Sequence, residues 1–151
     1  MAGASPEVEF SYELGGTGWS HARLAFGDRS TEMIASYMTD ALRDLLEAVL
    51  SLRTGATSAQ VSWEEEPGEF RWLFVRDGAD VEVRVLWFLR DPGGEEQIAG
   101  RVALDALVSA VTSAARHVLE KHGEEGYLER WVRHPFPTAT LHALEAGSAG
   151  S

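Results

Sequence analysis

The chain has 151 residues, enough for one ordinary domain with a real core and too few for two well-packed halves. Its 44% hydrophobic and 25% charged residues are those of a folded globular protein and exclude wholesale disorder. Thirteen basic against 24 acidic residues give a net charge of −11, and no basic cluster is longer than Arg130 with Arg133, so neither nucleic acid nor an anionic membrane is an expected partner.

The first nine residues hold no basic region and no apolar stretch, and nowhere does an apolar run reach the roughly 18 residues of a membrane span. A cytoplasmic setting is the expectation. Residues 8–14 alternate strictly, with Val8, Phe10, Tyr12 and Leu14 separated by Glu9, Ser11 and Glu13, which predicts a strand with one wet face. Gly15-Gly16-Thr17-Gly18 supplies a turn, and residues 19–26 alternate again to complete a hairpin. Ala22, Leu24 and Phe26 then face the core, and Trp19, His21 and Arg23 the other side. Residues 31–36 are a third, short strand.

Met38, Leu42, Leu45, Leu46, Val49 and Leu50 change the period to that of an amphipathic helix over 40–54, with Thr39 as N-cap and Gly55 as terminator. Three strands follow at 60–65, 70–76 and 81–89, divided by Glu66-Pro67-Gly68-Glu69 and Asp77-Gly78-Ala79-Asp80. Their core face carries Val61, Trp63, Phe70, Trp72, Phe74, Val81, Val83, Val85 and Trp87. Residues 91–96 read as a loop. A second long helix spans 104–122 and stops at Gly123, a short helical turn covers 124–133, and 147–151 form a disordered small-residue tail after a single domain of residues 1–146. The expected architecture is α+β: one mostly antiparallel sheet of five or six strands with both long helices on one face.

Chemistry-bearing patterns are sparse. The glycine-rich turn leads into a strand and lacks a lysine, unlike a phosphate-binding loop. No two histidines have metalloprotease spacing, no G-x-S-x-G elbow is present, and cysteine is absent, so no metal, cofactor or nucleophile is implied. Glu64, Glu65, Glu66 and Glu69 form an acidic hairpin end suited to a basic partner. Leu73, Val75, Leu86 and Phe88 share the second face of the sheet, a patch that a monomer rarely leaves bare. The C-terminal segment 127–144 covers it, a partner or second copy does, or it borders a ligand cleft.

Ser36-Tyr37-Met38-Thr39-Asp40-Ala41-Leu42 entering a helix, Glu66-Pro67-Gly68-Glu69-Phe70-Arg71-Trp72 at a hairpin, and Arg130-Trp131-Val132-Arg133-His134-Pro135-Phe136-Pro137 near the end resemble small uncharacterised bacterial α+β domains. Arginine in 12 of the 13 basic positions matches the codon bias of a GC-rich genome. The resemblance spans roughly residues 8–137 and implies a fold only; it carries no catalytic residue across. Three functions stay open. The first is a non-enzymatic, immunity- or chaperone-like domain that binds a protein partner through the sheet face or the acidic hairpin. The second is a small-molecule-binding protein or enzyme with a cleft near Trp19, His21, Arg23 and Arg84. The third is a structural homodimer.

Overall fold

A computed structural model of the chain describes residues 6–89, 93–132 and 134–149. Three strands, β1 (Val8–Gly15), β2 (Trp19–Phe26) and β3 (Arg29–Ser36), precede helix α1 (Ala41–Arg53). Four more, β4 (Ser58–Glu64), β5 (Glu69–Asp77), β6 (Asp80–Phe88) and β7 (Glu95–Ala103), lead to α2 (Leu104–Trp131) and α3 (Thr138–Ala149). The class is α+β, as expected, but the single sheet of five or six strands is replaced by two antiparallel meanders, β1-β2-β3 and β4-β5-β6-β7.

The two sheets meet through their apolar faces. Phe10 and Tyr12 of β1 set their rings edge-on to Trp72 and Trp63 of the second sheet, at 5.7 and 5.9 Å between centroids. β3 lies across the second sheet instead of pairing with it. At its start the Arg29 guanidinium donates to the Ala99 carbonyl of β7 at 3.1 Å, and just beyond its end the Thr39 hydroxyl accepts from the Glu64 N–H at 3.3 Å. Gly100 of β7 makes this approach possible, since a Cβ there would stand 2.8 Å from the Phe26 ring. Alternation shows which face of a strand is buried and leaves open which neighbour it pairs with, which is why one sheet was expected.

Helix α1 buries Leu42, Leu45, Leu46 and Val49 of its predicted stripe and adds Leu52, whereas Met38 is exposed and Leu50 only partly buried, and the Trp63 indole N–H donates to the Ala41 carbonyl at 3.0 Å. Asp40, not the expected Thr39, occupies the N-cap position, and it makes no side-chain capping bond. Helix α2 breaks at Gly123 (φ 70°, ψ 172°), where the sequence predicts the stop, and the segment beyond it drives Tyr127 and Trp131 into the core.

Two elements were not expected. β7 opens on Glu95, Glu96 and Gln97, all exposed, and buries only Ile98 and Val102, so too little alternation marks it in the sequence. Among its described side chains α3 buries Leu141 and Leu144, and it is held by Arg53 of α1 donating to the carbonyls of Ala143 and Leu144 at 2.7 Å each. Asp91 and Pro92 of the expected loop, Arg133 of the short helical turn and residues 150 and 151 of the expected tail lie outside the described residues. The C-terminal segment does not cover the outer face of the second sheet. Of its apolar side chains Tyr127, Trp131, Phe136, Leu141 and Leu144 enter the common core instead, and Leu128 and Val132 are exposed.

Candidate functional site

The outward face of the first sheet carries Trp19, His21 and Arg23, as strand alternation predicts, and the β2–β3 register places Ile34 opposite His21. The β4–β5 turn approaches this face. There the N–H groups of Glu65 and Glu66 both point to the Gly68 carbonyl, at 2.9 and 3.4 Å, with Glu66 at φ 59° and Gly68 at φ 90°. Gly68 is required twice over. Its positive φ suits glycine, and a Cβ would stand 2.8 Å from the Trp87 ring and 2.9 Å from the Phe88 carbonyl oxygen. The Trp87 indole thus lies flush against the turn and donates its Nε1–H to Glu65 Oε1 at 2.6 Å, a short charge-assisted bond that fixes both groups.

Between these walls lies a cleft of about 500 Å³. Trp19, His21 and Ile34 line one side, and Glu65, Glu66, Pro67, Trp87 and Leu89 the other. The lining is mostly apolar and still open to water: Trp19 is 40% exposed and Leu89 52%. Among the described residues no lysine or arginine lines it, and neither Glu65 nor Glu66 has an ion-pair partner. Some carboxylates elsewhere are matched, as in Arg84–Glu96 at 3.0 Å and Arg101–Asp77 at 2.7 Å, while others, such as Glu32 and Asp105, are likewise without an ion-pair partner among the described residues.

The structure therefore joins parts of two sequence-derived sites. Trp19 and His21 come together with Glu65 and Glu66 of the acidic hairpin. Arg23 and Arg84 do not join them: Arg23 lies 3.6 Å from Glu9, and Arg84 is on the outer face of the second sheet with Glu96. Glu69 faces Arg71 at 2.9 Å, and Glu64 is half-buried away from the cleft lining. Ile34, Pro67, Trp87 and Leu89 were missed. Trp87 counts by alternation as a core residue, and the available clue was Gly68, the one residue type that lets an indole lie against the turn.

The other sequence-derived surface is the outer face of the second sheet. Phe88 is less bare there than its pattern implies, because the Arg71 guanidinium sits 4.0 Å above its ring and Gly94 packs beneath. Leu73 and Leu86 are half-buried, and Val75 is 52% exposed.

Two polar groupings lie inside the molecule. His134, in the link before α3, places Nε2 3.0 Å from the Tyr37 carbonyl and Nδ1 3.6 Å from Asp40 Oδ2, so the link is clasped to the start of α1. Burial raises the Asp40 carboxyl above the usual range, against the opposing charges of His134 and Arg43. Deeper in, the hydroxyls of Tyr12 and Tyr127 and Asp40 Oδ1 have no hydrogen-bond partner among the described residues, and burial pushes both phenols far up. Tyr12 and Tyr127 both belong to the packed core. Among the described residues no three His, Asp or Glu side chains converge as metal ligands, and no helix is long and apolar enough to cross a membrane.

No protein-family model matches the chain, and no curated protein or solved structure matches it. The functional reading rests on the residues alone.

Proposed function

We propose that this chain is a binding protein whose working surface is the cleft between the first sheet and the β4–β5 turn. The observation that supports the reading is the convergence of Trp19 and His21 with Glu65, Glu66 and Trp87 around about 500 Å³ of partly open space. A concave, mostly apolar site with a few fixed polar groups has the general form of a ligand site. Among the described residues the lining holds no serine, threonine, lysine or cysteine, which favours binding over catalysis by a hydroxyl, thiol or amine nucleophile. Trp19 adds a second argument, since a large indole left 40% exposed keeps apolar area that a ligand would remove from water.

The test is a fragment screen read by the indole N–H resonances of the protein, with assignments made by single substitution. Fragments are expected to move the signals of Trp19 and Trp87 together, and Trp19→Ala to weaken those hits at least about tenfold without changing the fold. Hits that cluster elsewhere, or a screen that leaves both indoles unmoved, would sink the reading.

A second reading concerns the outer face of the β4-β5-β6-β7 sheet, where Val75, with Leu73 and Leu86 beside it, offers apolar surface to a protein partner or a second copy of the chain. It predicts a mass near twice 16.5 kDa in solution, reduced by Val75→Glu. A monomer across micromolar concentrations removes the homodimer form of it.

A further inference from the structure

Resting on the cleft as the binding site, we infer that its ligand is a small organic cation: an ammonium, amidinium or guanidinium group carried on an aromatic or aliphatic body. The charge pattern comes first. Glu65 and Glu66 stand at one wall, and among the described residues no cation is paired to either and no lysine or arginine lines the cleft. A neutral apolar ligand filling this space would strip water from Glu65 and return nothing to it, and an anion would meet two carboxylates on a chain of net charge −11. A cation instead replaces the lost water with an ion pair.

The aromatic lining points the same way. The indoles of Trp19 and Trp87 present electron-rich faces, tryptophan being the strongest of the aromatic side chains for a cation at close range. The carboxylate is also fixed in advance: Glu65 Oε1 accepts from Trp87 Nε1 at 2.6 Å, so ligand binding does not have to order it, and Oε2 has no partner among the described residues. Ile34, Pro67 and Leu89 make up the apolar remainder, which a bare metal ion or simple ammonium would leave unused and a hydrophobic body would cover. The volume suits a drug-sized molecule and exceeds what one side chain of a docked protein fills.

The experiment uses 2-phenylethylammonium and benzamidinium as cations, 2-phenylethanol as the neutral isostere, phenylacetate as the anion, and an arginine tripeptide, each titrated into the full chain and read by the Trp19 and Trp87 indole signals. The small cations are expected to bind at least about tenfold more tightly than the alcohol, the anion not to bind, and raised salt to weaken the cations alone. Glu65→Gln, which keeps an acceptor for Trp87, should bring the cations down to the level of the alcohol. Glu66→Gln, at an exposed position, should give a smaller loss in the same direction with an unchanged melting temperature. If the alcohol or phenylacetate binds as tightly as the cations at the same indoles, the cation inference is overturned while the cleft stands. If the tripeptide moves these indoles and the small cations do not, the small-molecule occupant is overturned. If no probe or library fragment reaches either indole, both the inference and the cleft reading fall.

Discussion

Trp63, Trp72 and Trp131 lie fully buried in the core, whereas Trp19 is 40% exposed and Trp87 half-buried on the walls of the cleft. The same side chain does two different jobs, and its neighbours decide which. In the core the indoles of Trp63 and Trp72 pack on each other at 5.2 Å, and Phe10, Tyr12 and Phe74 take up their remaining faces. Nothing of them is left for a ligand. In the cleft the Trp87 ring is held from behind by Gly68 and at its N–H by Glu65, and the facing wall is separated by solvent-filled space. A buried tryptophan thus reports on stability, and a half-open one held in place reports on binding.

The sharpest way to break this contrast is to truncate one indole of each kind. Trp72→Ala should cost about 3–5 kcal/mol of unfolding free energy, as large-to-small changes in a packed aromatic core do, and much of the chain should be unfolded at room temperature. Trp19→Ala should cost less than about 1 kcal/mol by urea denaturation, because an exposed strand position has little packing to lose. Equal losses at the two sites would erase the distinction between core and cleft.

Gly68→Ala comes next in size. It must place a Cβ where the Trp87 ring and the Phe88 carbonyl now stand, in a backbone conformation with positive φ, so a loss of about 1–3 kcal/mol is expected. The characteristic sign is selectivity. The Trp87 indole resonance should shift strongly, and those of Trp63 and Trp72 should stay in place. A uniform response of all the indoles would mean that the cleft wall and the core are one packing unit.

Asp40 supplies a pH-dependent member of the series. Its carboxyl is raised by burial, so the native state binds this proton more readily than the unfolded chain does. The stabilising share is therefore present below the ordinary value of 3.8 and lost as pH rises through the raised native value, leaving a cost at neutrality. Asp40→Asn should accordingly gain on the wild type as pH climbs from about 3 to 7, measured as a difference of unfolding free energies at each pH. A gap that narrows over this range would show that the pairs with His134 and Arg43 outweigh the burial.

How much of this was legible beforehand differs from element to element. The faces of β1, β2, β5 and β6 were visible because core-facing apolar residues recur at every second position, and α1 because its stripe holds for three turns. β7 and α3 were hidden, since each buries just two large aliphatic side chains and leans on partners distant in sequence: Gly100 on Phe26, and the carbonyls of Ala143 and Leu144 on Arg53. For the cleft, Trp19, His21, Glu65 and Glu66 were all singled out, but in two separate sites. Their meeting depends on how the sheets cross, which no local period records. Arg23 and Arg84 were grouped with Trp19 by face alone, and each instead finds a nearby glutamate.

The smallest expected effect carries the comparison to single atoms. In the cleft, Glu65 Oε1 meets Trp87 Nε1, whereas the hydroxyl of Tyr12, at the centre of the core, has no hydrogen-bond partner among the described residues. This buried hydroxyl has lost its water and regained only a contact with the Ser20 hydroxyl that falls outside hydrogen-bond geometry, so removing it relieves a desolvation cost. Tyr12→Phe keeps the ring, and with it the contacts to Phe10 and Trp63 at 6.5 and 5.9 Å. The variant should be as stable as the wild type or more so, by up to about 1 kcal/mol, in spite of the total burial of the residue. A loss above about 1 kcal/mol would mean that Ser20, Asp40 or an internal water completes a hydrogen bond to this oxygen, and that the core, like the cleft wall, holds a working polar contact.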